Sequence, residues 1–366
     1  MMSKTRVGVI GCGVISGIYF QNLTRFEHLE VVACADLNPE LSQLVSEKYP
    51  SIKAVSTEQL LADDSIDLVV NLTQPGFHYE VMTSGLNAGK HVYGEKPLSI
   101  SFDDSRRMLD LAAHKNLRVG SAPDTFLGAG IQLCRELIDD GKIGTPIAAT
   151  AFFTTPGHER WHPAPDFYYK VGGGPMLDMG PYYLTALVNL LGPAKSVSGS
   201  ARITHPQRTI TSEPRNGETI DVEIPTHVSG TVDFESGAVA SMITSFDVWG
   251  THLPFIEIYG TEGSLSVPNP NNFGDPVKLL SRGNDEWIEI PNDRPFAENS
   301  RGLGVADMAM SICENTPHRA SGELASHVLE IMHAFRQSSD SGKRIELTST
   351  CERPEPFPGN RVEFSH

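Results

Sequence analysis

The sequence predicts an α/β protein: an N-terminal doubly wound parallel sheet, then an α+β domain built on a large, mostly antiparallel open sheet. Three observations predict it. Up to Ser121, short apolar runs alternate with helix-start and helix-stop signals, the pattern of successive βαβ units. After Pro123 the alternation ends, and strand signals follow one another with only turn signals between neighbours, as in antiparallel hairpins. A chain of 366 residues is also long enough for two domains that each bury a core. The expected boundary lies near Pro123, giving domains 1–123 and 124–366.

The elements follow in order. Thr5–Ile10 is an apolar run broken by a glycine turn, and Glu30–Ala35, Ile66–Leu72, His91–Tyr93 and Arg118–Ser121 repeat the strand signal. Between them, Asn38-Pro39 reads as an N-cap and first helical position. Gly89 is a natural helix stop. Ser101, with Asp104 three residues on, resembles a capping box that opens a helix to about Asn116. Beyond Pro123 a helical stretch, Leu127–Asp140, leads into strand signals at Ile147–Thr154, Val197–Ile203, Val228–Phe234, Ala238–Phe246, Phe255–Tyr259 and Gly263–Val267. Glu235-Ser236-Gly237 and Thr261-Glu262-Gly263 supply turns, and an amphipathic helix, about Ser321–Ser338, precedes a proline-rich tail.

Composition narrows the function classes. Forty-five acids against 29 Lys and Arg give a formal charge of −16, which repels nucleic acid and anionic membranes; no basic cluster offsets it. No apolar run approaches a bilayer span, and the first residues enter a strand pattern without the apolar core of a signal peptide. Five scattered cysteines without CxxC spacing suit reduced thiols, so a cytoplasmic location is expected.

Gly11-Cys12-Gly13-Val14-Ile15-Ser16-Gly17 follows the first strand and opens the first helix. Glycine is required where the turn is tightest and where backbone approaches a pyrophosphate, and the helix start offers unpaired N–H groups to the phosphates. Asp36 ends the second strand about 20 residues on, where a carboxylate binds ribose hydroxyls in the Rossmann arrangement. Leu37, Asn38 and Pro39 offer no cation to a 2′-phosphate, so the expected cofactor is NAD rather than NADP.

Together with that turn and Asp36, Gly94-Glu95-Lys96-Pro97, Gly141-Lys142-Ile143-Gly144, Gly172-Gly173-Gly174-Pro175-Met176-Leu177-Asp178 and the terminal HVLEIM helix resemble the Gfo/Idh/MocA family of sugar and inositol dehydrogenases, glucose–fructose oxidoreductase-like members included. The resemblance implies that Lys96 lies between nicotinamide and substrate. A cofactor-flanked ammonium sheds its proton more readily, so it can hold the alcohol oxygen and shuttle its proton during hydride transfer. Many relatives carry histidine four residues after the aspartate; here Tyr182 follows Asp178, as in glucose–fructose oxidoreductase-like members. Residues four apart share a helix face, so Asp178 and Tyr182 are expected at one pocket, with either Lys96 or Tyr182 as the proton acceptor.

By the same resemblance Gly11, Gly13, Val14, Ile15, Asp36, Thr73, Pro75, His78, Glu95, Lys96 and Trp161 would touch the cofactor. His78 serves equally well as a helix-start packing residue. Asp124 departs from the Asn or Arg of relatives and is a substrate-contact candidate; Trp161-His162 aligns with a Trp-Arg pair that flanks nicotinamide and substrate. His158, Trp161, His162 and Tyr168, which suit stacking and hydrogen bonding to sugar rings, join Lys96, Asp178 and Tyr182 as expected substrate contacts.

His158-Glu159-Arg160-Trp161-His162 formally matches HExxH, but Pro156-Gly157 precede it and Pro163 and Pro165 follow. A zinc protease needs the two histidines on one helix face, so no metal is expected. The sequence thus predicts an NAD-dependent dehydrogenase of a sugar, glycoside or cyclitol, assembled by family likeness as a homo-oligomer, dimer or tetramer, through the open sheet face. Two alternatives remain: an NAD-dependent glycosidase acting by transient ring-hydroxyl oxidation, elimination and re-reduction, and a non-catalytic protein on an enzyme scaffold.

Overall fold

The computed structural model describes residues 4–364. Two compact units result: the chain up to Gly128 with Arg294–Ser326 and the segment from Pro354 forms the first, and Ala129–Asp293 with His327–Arg353 the second. A single cut at Pro123 misses these two returns of the chain to the first unit, which carry no strand–helix alternation to announce them.

In chain order the first unit holds β1 (Thr5–Ile10), α1 (Ser16–Leu23), β2 (Leu29–Ala35), α2 (Pro39–Lys48), β3 (Lys53–Ala54), α3 (Thr57–Ala62), β4 (Leu68–Asn71), α4 (His78–Asn87), β5 (His91–Gly94), α5 (Phe102–Lys115) and β6 (Val119–Ser121). Its six-stranded sheet has the order β3-β2-β1-β4-β5-β6, every neighbouring pair parallel. The order reverses between β1 and β4, so loops at the carboxyl ends of those strands border the crevice where such sheets bind ligands. Helix starts follow local chemistry. Asn38 accepts the Glu40 N–H with Pro39 at the first position, and Ser101 accepts the Asp104 N–H. Leu68–Asn71 is buried at every position, as helices on both faces require. Val69, Met82, Leu86, Val92 and Met108 form the core beneath α4 and α5.

Next come α6 (Ala129–Asp139), β7 (Pro146–Thr154), α7 (Gly174–Leu191), β8 (Ala194–Arg202), β9 (Gln207–Thr209), β10 (Thr219–Asp221), β11 (His227–Phe234), β12 (Val239–Ser245), β13 (Ile256–Gly260), β14 (Gly263–Val267), β15 (Val277–Ser281) and β16 (Ile288–Ile290). Then follow α8 (Leu303–Glu314), α9 (Gly322–Ser341) and β17 (Ile345–Glu346). The second unit's nine-stranded sheet runs β16-β15-β14-β13-β7-β12-β11-β8-β17, antiparallel except for the β7–β12 pair. Alternation sets its two faces. Ala149, Ala151, Val197, Val232, Ala240, Met242, Ile258 and Leu265 are buried, whereas Ser200, Thr231, Ser241 and Ser264 on the same strands are partly or fully exposed. Helix α7 packs on β7, β11 and β12. No described helix is long and apolar enough to cross a membrane.

Candidate active site

The glycine turn is dictated by the strand beside it. Gly11 has φ +101°, and a Cβ there would sit 2.6 Å from the Leu72 carbonyl carbon, so the end of β4 excludes any side chain. Gly13 differs: a Cβ would meet nothing within 4 Å, leaving its face open. Val14 is fully exposed and Ile15 partly so, and Ser16 opens α1 by donating its hydroxyl to the Gly13 carbonyl at 2.7 Å. Asp36 ties this turn down: Oδ2 accepts the Cys12 N–H at 2.7 Å and Oδ1 the Asn38 N–H at 2.8 Å. Each oxygen keeps a lone pair for a ribose hydroxyl. Asn71, at the carboxyl end of β4, is wholly buried; its Oδ1 accepts the Thr73 N–H and hydroxyl, while its Nδ2 has no partner. An open helix start, a strand-end carboxylate and a buried spare donor at the switch point fit a dinucleotide.

Thr73 and Pro75 lie on the loop after β4, Pro75 opening a short 3₁₀ turn ahead of α4. His78, expected as a cofactor contact, is buried, with Nδ1 2.6 Å from the Pro97 carbonyl and Nε2 2.9 Å from the Thr73 carbonyl. Burial pushes its imidazole down from its ordinary value, so the neutral ring donates to one carbonyl at a time. Both nitrogens thus face backbone, the helix-start packing role. Glu95, directly after β5, is also engaged internally: its carboxylate accepts the Tyr19 hydroxyl at 2.8 Å and the Lys96 N–H at 3.0 Å. Lys96 itself is half-buried, and its peptide bond to Pro97 is cis.

Asp124, the substrate-contact candidate, takes a different part. Its Oδ2 accepts the Gly302 and Gly304 N–H groups at 2.8 and 3.0 Å, capping the start of α8. The side chain is 1% exposed, and burial raises its carboxyl to about 6 against the pull of those N–H groups. A group so enclosed holds the chain's return to the first unit rather than meeting a substrate.

In the second unit, His158–Arg160 forms one 3₁₀ turn, so HExxH is not helical. Among the described residues no cluster of three or more His, Cys, Asp or Glu is placed to hold a metal. His158 turns to Asp178, on the first turns of α7, with Nε2 3.1 Å from Oδ2. The Trp161 indole N–H donates to His158 Nδ1 at 3.2 Å. His158 was expected to bind substrate; both its ring nitrogens are instead taken by protein partners. Tyr168 stacks edge-on against His158 with centroids 4.3 Å apart, and Phe167 packs on Tyr168 at 4.0 Å. Trp161 is 60% exposed. His162 Nδ1 accepts the Ala164 N–H at 3.0 Å, and partial burial lowers its imidazole. Tyr182, one turn after Asp178 on α7, is buried.

Beneath this aromatic group lies an ionic cluster that pattern reading missed. Arg208, on β9, donates to Glu159 at 2.8 Å and also binds Asp247, and all three side chains are under one-tenth exposed. The Tyr169 hydroxyl donates to Glu159 and accepts the His158 N–H at 3.1 Å. Nothing local in the sequence joins Arg208 to residues this far away. For Asn71 a signal existed, a lone polar residue ending an apolar strand.

Both halves of the chain resemble known proteins. Residues 5–122 match the oxidoreductase family with an NAD-binding Rossmann fold, and residues 131–266 match the GFO/IDH/MocA C-terminal domain. The dTDP-3,4-didehydro-2,6-dideoxy-alpha-D-glucose 3-reductase of Saccharopolyspora spinosa is 31% identical over 332 residues, 85% of this chain and 92% of that one. D-glucoside 3-dehydrogenase of Escherichia coli is 25% identical over 363 residues, 94% and 98% of the two chains. Levoglucosan dehydrogenase in complex with NADH shares the fold, with a TM-score of 0.81 at 20% identity over 95% of this chain and 100% of that one. Matched in order along both halves, the chain belongs to the GFO/IDH/MocA family of NAD-binding oxidoreductases.

Proposed function

We propose that this enzyme oxidises a secondary hydroxyl of a pyranose, glycoside or cyclitol. NAD, when bound, supplies the hydride acceptor. Lys96 holds the alcohol oxygen, and its proton leaves through Lys96 or Tyr182, while Asp178 accepts a hydrogen bond from a neighbouring hydroxyl. Asp36 and the Gly11–Gly13 turn hold the dinucleotide, with Thr73 and Pro75 alongside. Trp161, His162 and Tyr168 offer faces and polar edges to a sugar ring, and copies of the chain associate through the open face of the nine-stranded sheet.

The observation that carries this reading is the Asp178 carboxylate held by His158, whose ring in turn accepts the Trp161 indole N–H and packs against Tyr168. A carboxylate tied to an aromatic cluster suits a ring that presents hydroxyls at its rim and C–H groups on its faces. Sugar-acting relatives, among them the D-glucoside 3-dehydrogenase, support the same class.

The test is a screen of methyl and p-nitrophenyl D-glucosides, levoglucosan and myo-inositol with NAD, following NADH absorbance and p-nitrophenol release together. Net NADH formation is expected. Aglycone release without net NADH would replace the dehydrogenase reading with a redox-assisted glycosidase, and no turnover on any sugar would remove both.

A further inference from the structure

His158 is held on every side. Its backbone N–H meets the Tyr169 hydroxyl at 3.1 Å. Its ring packs edge-on against Tyr168 at 4.3 Å and tilted against Phe246 at 4.5 Å between centroids. The next residue, Glu159, is clamped by Arg208. A side chain restrained this way has one orientation.

The two ring nitrogens then have distinct tasks. The Trp161 indole can only donate, so Nδ1, 3.2 Å away, must offer its lone pair. The ring proton therefore resides on Nε2, which donates to Asp178 Oδ2 at 3.1 Å. An acid–base histidine paired with a carboxylate keeps its second nitrogen open to the reacting group. Here the indole N–H covers that nitrogen, which rules out this role in the observed arrangement.

We propose that His158 is a positioning residue for Asp178: its Nε2–H fixes the carboxylate that meets the substrate, and Trp161 fixes the tautomer that makes this possible. The proposal rests on the assignment of Asp178 to the substrate. In this way Trp161 serves twice, as a largely exposed residue open to a ligand and as the N–H donor committed to His158.

The test has a readout that needs no substrate. In the full-length protein with ¹⁵N-labelled histidine, long-range ¹H–¹⁵N correlation should show His158 as the single Nε2–H tautomer, identified by the signal missing from His158→Gln. Trp161→Phe should abolish that single state. A protonated Nδ1 in the wild type, or an unchanged tautomer in Trp161→Phe, would overturn the proposal. Kinetics on the best glycoside of the panel supply the second arm. His158→Leu should lower kcat about as much as Asp178→Asn, tenfold or more, with NAD affinity unchanged. His158→Gln, which keeps an N–H donor of similar reach, should recover part of that loss. If Asp178→Asn is costly and His158→Leu changes kcat less than twofold, the positioning role is wrong while the site assignment stands. If Asp178→Asn itself has no effect, the site assignment fails, and the positioning role fails with it whatever the tautomer.

Discussion

Asp36 braces the glycine turn it faces: its Oδ2 accepts the Cys12 N–H at 2.7 Å, so the carboxylate proposed to bind ribose also holds the backbone proposed to cradle the pyrophosphate. NAD should therefore bind more tightly than NADP, because a 2′-phosphate would face this carboxylate with no cation in Leu37, Asn38 or Pro39 to receive it. Asp36→Ala should weaken NAD binding by about tenfold or more, since a charge-assisted hydrogen bond is worth roughly 1.5–3 kcal/mol. Titration calorimetry at ordinary ionic strength decides this. Equal affinity for the two dinucleotides in the wild type would refute the assignment of Asp36.

Lys96 should matter to chemistry and little to cofactor affinity. Lys96→Met is expected to leave NAD binding within about threefold, because the phosphate and ribose contacts are proposed for the Gly11–Gly13 turn and Asp36, and to slow hydride transfer by roughly 10²–10⁴. Tyr182→Phe should cost less if the tyrosine relays the proton and a similar amount if it is the acceptor. Single-turnover NADH formation across pH separates the two. A Lys96→Met enzyme that reduces NAD at near wild-type rate would leave the catalytic assignment without its centre.

Local chemistry made the first unit largely legible in the sequence. Thr5–Ile10 is a strand to the residue, Asn38-Pro39 and Ser101 cap the helices expected of them, and Gly11 stands where a side chain cannot. Elements set by distant partners were not legible. β3, β9, β10, β16 and β17 have two or three residues each, too few to display an alternation, and their neighbours in the sheets define them. Helix α8 begins where Asp124, far away in sequence, accepts two of its N–H groups. The same limit governs the site. Residue types pointed to His158 and Asp124 as ligands, but which atoms already have partners depends on the fold. Both ring nitrogens of His158 are taken by Trp161 and Asp178, and Asp124 Oδ2 by a helix start.

Arg208 should prove a stability determinant despite standing outside any motif. Its guanidinium neutralises Glu159 and Asp247 in a place where neither carboxylate is more than one-tenth exposed. Arg208→Met would leave two buried acids without their cation, a loss of about 3–5 kcal/mol. Gly157→Ala should also destabilise, because Gly157 has φ +110° and its Cβ would strike the Glu159 carboxylate and the Arg208 guanidinium. Urea denaturation of both variants checks this, and an Arg208→Met protein within about 1 kcal/mol of wild type would show the cluster to be dispensable.

Asp124 gives the fold a pH dependence of defined sign. Burial raises its carboxyl from 3.8 to about 6. The folded chain then binds a proton that the unfolded chain has released between those values. This contribution is fully present below pH 4 and is lost as pH rises through about 6, a change of about 3 kcal/mol for two pH units of displacement. Asp124→Asn keeps an oxygen for the Gly302 and Gly304 N–H groups and carries no charge, so it should not show the loss. Subtracting wild-type from variant stability removes other titrating groups. The difference, measured by urea denaturation at pH 4, 5, 6 and 7, should move in favour of the asparagine as pH rises and level off above pH 6. A flat difference would mean that the carboxylate stays ionised when folded, sustained by the two N–H groups and the nearby Arg301. A difference that moves the other way would mean that those groups outweigh burial and draw the Asp124 carboxyl below its ordinary value.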